Sequence, residues 1–121
     1  MAFAEGRKAE FGKPAVSYSK KYVLDLMQGN DGLATHYRIQ IFSIDSHNRR
    51  KLVFLSQEKF EARHRLIVMW DQEDWVWLYS GDIGICYWEK IETDQWVKHI
   101  VREDDKVPNM PEEIRKLLPA F

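Results

Sequence analysis

The sequence predicts an α+β fold: an antiparallel meander sheet of about five to seven strands, with a short C-terminal helix packed on one face. Three observations carry this expectation. Apolar and polar residues alternate from Leu33 to Ile44. Residues 64–92 read as aromatic strand segments joined by polar and glycine-containing turns. The stretch 111–118 begins on a proline, carries an apolar stripe and is followed by another proline.

Length and composition agree with a single packed domain. A chain of 121 residues suits one domain and is too short for two ordinary ones. At this length roughly two thirds of the unfolded surface can be buried, so a core forms without covalent staples. Hydrophobic residues make up 45% and charged residues 31%, a globular rather than a disordered composition.

Taken in order, residues 1–13 carry two glycines and little periodicity, and read as a flexible N-terminal arm ahead of a single domain over 14–121. Residues 16–27 fit both periods. Tyr22, Val23, Leu26 and Met27 suit a helical face; Tyr22, Leu24 and Leu26 suit a strand. The following Gln28–Gly32 resembles a hairpin loop and favours the strand. From Leu33 to Ile44, Leu33, Tyr37, Ile39 and Ile41 point one way, and Ala34, His36, Arg38 and Gln40 the other. A polar turn, 45–50, leads to a β-rich run at 51–56, which pairs back. Residues 57–64 read as an irregular or helical connection.

Two hairpins then follow. If Gln72–Glu73 forms the first turn, Trp70 faces Trp75, Val68 faces Trp77 and Leu66 faces Tyr79. If Asp82–Ile83 forms the second, Trp77 faces Trp88 and Tyr79 faces Cys86. In this register Trp70, Trp75, Trp77, Tyr79 and Trp88 share one face, and a slip of one residue would exchange faces. Trp96, Val97, Ile100 and Val101 fit a helix stripe or a last strand; the β-branched content favours the strand. At the C-terminus, Pro111 suits a first helical position. Glu112 and Glu113 suit the helix start and Arg115 and Lys116 its end, with Ile114, Leu117 and Leu118 on the buried side.

Charge divides along the chain. Residues 1–65 hold 12 Lys and Arg against 7 Asp and Glu, a balance of +5; residues 66–121 hold 6 against 12, a balance of −6. With strands of both halves mixed in one sheet, this predicts a basic edge and an acidic edge.

Motifs for chemistry are sparse. No glycine lies in a phosphate-cradling spacing, so no nucleotide cofactor is implied. His36, His47, His64 and His99 show no helical metal-ligand spacing, and Cys86 has no partner cysteine. Convergence of His36, His64 and His99 from separate strands is chemically reasonable, yet packed or solvated histidines are far commoner. Cys86 sits among apolar residues, which raises a thiol's pKa and opposes reactivity. Among the carboxylates Asp71, Glu73, Asp74, Asp82, Glu89, Glu92 and Asp94, a general-acid pair can be drawn from Asp82 and Glu89, although turn carboxylates are usually structural. The basic clusters Arg49–Lys51 and Arg63–Arg65 have few aromatics beside them for base stacking, which argues against nucleic acid.

The expected function is therefore a binding or interaction module. Its surface is the face carrying Trp70, Trp75, Trp77, Tyr79 and Trp88, offered to a protein partner, a second copy of the chain or a small apolar ligand. The alternative is a small single-domain enzyme with an acid and a histidine in an aromatic-lined pocket. No catalytic residue, metal ligand or cofactor site is assigned. A lone cysteine, no leader-like start and no long apolar run lead us to expect a cytoplasmic protein without membrane association.

Overall fold

The structure, a computed structural model, describes residues 7–32, 34–81, 83–102, 105, 107 and 109–117. Among them are ten strands and one helix: β1 Lys8–Ala9, β2 Ala15–Val16, β3 Tyr22–Asp31, β4 Ala34–Ile44, β5 Arg50–Leu55, β6 Phe60–Glu61, β7 Leu66–Trp70, β8 Val76–Ser80, β9 Gly84–Glu92, β10 Gln95–Ile100 and α1 Glu112–Arg115. Antiparallel sheet dominates, with one short helix, so the expected class holds in its coarse form.

The architecture departs from a single meander. The strands form two sheets, I in the order β1-β7-β8-β9-β10 and II in the order β2-β3-β4-β5, with β6 pairing to β4. Every strand pair is antiparallel. The reason lies in the two apolar faces of β7–β9. A four-residue helix covers only part of one face, and the other needs a second sheet. Tyr22, Leu24, Leu26, Ile39 and Ile41 of sheet II pack with Val68, Trp70, Val76, Leu78, Cys86 and Trp88 of sheet I in one core. A second core lies on the outer face of sheet I. There Ile67, Met69, Trp77 and Ile85 meet Met110 and Ile114 of the C-terminal segment. Fully burying a Leu, Ile or Met side chain contributes about 1.5–3 kcal/mol, so Leu24, Ile41, Leu78 and Ile114, all 0% exposed, anchor both layers.

Several local expectations change. Within residues 1–13, Lys8 and Ala9 pair with Met69 and Val68 of β7, and Ala9 is buried; residues 1–6 lie outside the described part. Gln28–Asp31 belongs to β3 rather than to a loop, pairing with Ala34–Tyr37. Gly29 stands opposite His36, and a Cβ there would come within 2.8 Å of the imidazole Nε2. Glycine inside the strand leaves room for the ring where it lies, and a larger residue would require the imidazole to shift. Leu33 and Asp82 lie outside the described residues. The connection over 57–64 contains β6, which pairs Phe60 with Tyr37 and Glu61 with His36. Tyr22–Asp31 and Gln95–Ile100 are strands, the alternative favoured over a helix for both segments, and residues 17–21 form the turn between β2 and β3.

The C-terminal helix is shorter than the expected 111–118. Pro111, expected as the first helical residue, is instead the N-cap at φ −60°, ψ 142°, and the helix begins one position later at Glu112. Beyond Arg115, Leu117 N–H bonds to Ile114 O, a three-residue step that tightens the helix end. Leu118 lies outside the described residues.

The two charge halves do not mix within one sheet. Sheet II is drawn from the basic half and sheet I, β1 apart, from the acidic half. The asymmetry therefore separates two layers rather than two edges. No described helix is long and apolar enough to cross a membrane.

Candidate binding face

The distribution of aromatic residues rests on the β7–β8 turn. Asp71 N–H bonds to Trp75 O at 3.0 Å, leaving Gln72, Glu73 and Asp74 as a three-residue loop with Asp74 in the left-handed region at φ 62°. Three-residue hairpin loops commonly end on such a residue. The Asp71 carboxylate fixes the loop: Oδ1 accepts Glu73 N–H at 2.7 Å and Trp75 N–H at 3.1 Å. A two-residue turn would have paired Trp70 with Trp75; the extra residue pairs Trp70 with Val76, Met69 with Trp77 and Ile67 with Tyr79.

The next turn repeats the shift. Ser80 pairs with Gly84, which takes φ 90°, so Trp77 faces Tyr87 and Val76 faces Trp88. Strand β8 has thus slipped by one residue against both neighbours, and its side chains exchange faces.

The five aromatics expected on one face are consequently divided. Trp70 and Trp88, 0% and 2% exposed, lie in the core between the sheets. Trp77, 0% exposed, lies on the outer face of sheet I. Trp75 and Tyr79 are half-buried on that same outer face. The indole N–H groups of three buried tryptophans are satisfied: Trp70 to Ala15 O at 2.9 Å, Trp77 to Asp71 Oδ2 at 2.8 Å and Trp96 to Asp74 O at 3.0 Å.

A transverse row crosses the outer face of sheet I, one residue from each strand: Lys8, Met69, Trp77, Tyr87 and His99. At the β7–β8 end Met110 and Ile114 close over it, and Lys8 Nζ reaches Glu113 at 2.9 Å. Towards β9 and β10 it opens. The Tyr87 ring stacks on Trp77 at 4.5 Å, on His99 at 4.9 Å and on Trp75 at 5.4 Å between centroids. Burial pushes the Tyr87 hydroxyl above its ordinary pKa, with Glu89 and Asp105 adding to the rise. Register and alternation place Glu89, Ile91 and Val97 on this face too. Ile91 is 51% exposed and Val97 42%.

His99 Nε2 lies 2.8 Å from Glu89 Oε1, so an acid and a histidine do meet beside aromatic rings. Cys86 is on the opposite face, buried in the inter-sheet core, and burial pushes its thiol up to about 12. It is a packed apolar group and no partner for this pair. His64 and His36 do not join His99: His64 Nε2 is 3.3 Å from Glu61, and His36 stands opposite Gly29. Among the described residues no group of three or more His, Cys, Asp or Glu is placed to hold a metal ion.

Asp71 and Asp74 are held in structural contacts. Asp71 Oδ2 also accepts Asn109 Nδ2–H, tying the loop to the C-terminal segment. Burial pushes this carboxyl above its ordinary value, against the opposing pull of its four hydrogen-bond donors. Asp74 Oδ2 accepts Ser19 Oγ–H, joining the loop to sheet II. In the basic clusters, Arg49 Nε lies 3.1 Å from Asp45 and Arg63 Nε 2.8 Å from Glu61.

Comparison with protein-family models, with curated proteins and with solved structures finds no match to this chain.

Sequence reasoning found the aromatic strands but assigned Tyr87 to the opposite face from Trp77, and did not place His99, Ile91 or Val97 beside them. The available signal was the Asp71-x-Glu73-Asp74 stretch. An Asp that caps its own turn, followed by a residue tolerant of positive φ, favours the three-residue loop.

Proposed function

We propose that the protein is a binding module that takes a protein partner, a second copy of itself included, at the β9–β10 end of the outer face of sheet I. The observation carrying this reading is the open end of the transverse row. Tyr87, Trp75 and His99 are half-buried, while Ile91 and Val97 are 51% and 42% exposed on the same face. Strand β10 ends the sheet, and a strand end flanked by apolar side chains suits a partner that adds a strand. Stacked aromatics held by their neighbours bring contact area with little rotamer entropy to lose on binding. Trp70, Trp77 and Trp88 support that surface from within rather than forming it.

The test is Val97→Lys, a change on an exposed position, compared with wild type by sedimentation over a concentration series and by capture of partners on immobilised protein. Loss of association with unchanged melting supports the module. A wild type that is monomeric throughout and captures nothing overturns it.

A second reading rests on the Glu89–His99 hydrogen bond of 2.8 Å. A carboxylate that orients an imidazole is the arrangement of a general base in a small enzyme. The catalytic residues would then be His99 as the base and Glu89 as its orienting partner, beside Tyr87 and Trp75.

A further inference from the structure

A groove lies at the turn end of sheet II, away from the face proposed above. Two tight turns stand side by side there. Lys20 N–H bonds to Ser17 O at 3.0 Å, and Asn48 N–H bonds to Asp45 O at 3.0 Å. Each turn closes on a left-handed residue, Lys20 at φ 65° and Asn48 at φ 62°. Ile44 N–H donates to Lys21 O at 2.9 Å and fastens one turn to the other. Between them runs an open groove of about 640 Å³, in the range of small-molecule sites. Its walls include Arg7, Lys20, Ser46 and Asn48, with Val16 and Ile44 as the apolar part.

Arg7 and Lys20 have no carboxylate partner among the described residues. Asp45 also lines the groove, but its oxygens are taken. Oδ1 accepts His47 N–H at 2.9 Å and Arg49 N–H at 2.8 Å, and Oδ2 accepts Arg49 Nε–H at 3.1 Å. The Arg7 guanidinium lies 4.5 Å over the Tyr18 ring, which holds its plane. Arg7 Nε is buried and has no hydrogen-bond partner among the described residues. Nε itself is closed off, so what Arg7 offers the groove is its charge and the outer end of the guanidinium fork.

We propose that this groove binds the phosphate group of a small organic phosphate, with Arg7 and Lys20 as its charge partners. A guanidinium fork and an ammonium match a doubly charged tetrahedral anion. The hydroxyl of Ser46 and the amide of Asn48 add neutral donors. Val16, 41% exposed, and Ile44 receive the organic part. The basic balance of residues 1–65 draws such an anion to this layer of the molecule.

The experiment is calorimetric titration of the full chain with phenyl phosphate, inorganic phosphate and benzoate. Phenyl phosphate is expected to bind one to one, inorganic phosphate more weakly, and benzoate at least tenfold more weakly than phenyl phosphate. Arg7→Gln and Lys20→Asn should each weaken phenyl phosphate at least tenfold; asparagine tolerates the left-handed backbone, so the turn is kept. Arg7→Lys should recover only part of the affinity, since it restores charge without the fork. Arg63→Ala, which removes a cation beside Glu61 on β6, should change nothing. Melting curves confirm that each variant folds. Equal affinity for benzoate, an equal loss in Arg63→Ala, or undiminished binding in both Arg7→Gln and Lys20→Asn overturns the assignment.

Discussion

Asp71 and Trp77 are joined by a hydrogen bond of 2.8 Å from the indole Nε1–H to the carboxylate Oδ2. The same carboxylate caps the β7–β8 loop and holds Asn109 of the C-terminal segment. One side chain therefore sets the register that turns Trp77 outward and fastens the layer that covers it.

Asp71→Asn should accordingly destabilise the fold. An amide offers one acceptor oxygen where the carboxylate has two, so a buried donor is left unpaired, at about 1–3 kcal/mol. The variant should also differ in its pH dependence. Burial raises the folded pKa of Asp71 above its unfolded value, so the folded state holds its proton longer. This group then favours folding at acidic pH, and stability falls as pH rises from the ordinary aspartate range through the raised value. Urea denaturation across that window should show the component in wild type and not in Asp71→Asn. An identical slope in both would contradict the burial argument.

Glu58 gives the opposite sign. Burial raises its pKa, but the hydrogen bond and charge of Lys98 outweigh this and hold the carboxylate below its ordinary value. Its contribution is present above the unfolded glutamate pKa and lost as pH falls through the lower folded one. The pair bridges β10 of sheet I and the connection after β5 of sheet II, so it acts on the contact between layers. Glu58→Gln should lower the midpoint at neutral pH and leave stability at strongly acidic pH unchanged. Since both side chains are partly exposed, added salt should reduce the difference.

How much of this was legible in the sequence follows from what each signal measures. Alternation located β4, because burial on one face leaves a period of two; aromatic and β-branched content between turn residues located β7, β8 and β9 and decided β3 and β10, whose own periods were ambiguous. Alternation did not reveal two sheets, because the layer that a strand packs against leaves no mark in that strand's own period. The aromatic face failed on a finer point. Asp74 at φ 62° adds one residue to the turn, and one residue moves Trp75, Trp77 and Tyr79 to the other side. His99 came beside Glu89 only through the register of β9 with β10, a long-range fact absent from either segment alone.

The C-terminal layer should be as necessary as the sheets. Ile114 is fully buried against the outer face of sheet I, and truncating a buried isoleucine to alanine costs about 2–5 kcal/mol. Ile114→Ala should lower the melting temperature by several degrees and expose Trp77 to acrylamide. Unchanged quenching would show that the segment does not cover the indole.

Cys86 should be silent. Its thiol is buried, with its pKa raised to about 12, so thiolate is scarce at neutral pH. Reaction with a thiol reagent should be slow in the native state and fast in denaturant, and reducing agent should leave melting unchanged. Fast native labelling would place the thiol outside the inter-sheet core.

The two functional readings separate on four substitutions. A binding module needs the open end of the outer face but no ionisable group tuned to a working pH, whereas an enzyme needs His99 and Glu89. Val97→Lys should weaken association by about thirtyfold or more, the effect of about 2 kcal/mol at an interface hot spot. Glu89→Gln should leave association within a few fold, since that pair lies beside the apolar patch. Trp77→Ala is the control for a false positive: it removes a fully buried indole and should cost about 3–5 kcal/mol of stability. Lost binding in that variant reports an unfolded domain, which circular dichroism will detect. If Val97→Lys associates like wild type while His99→Ala abolishes turnover of some substrate, the enzyme reading replaces the module. The search then begins at the Glu89–His99 pair beneath Tyr87.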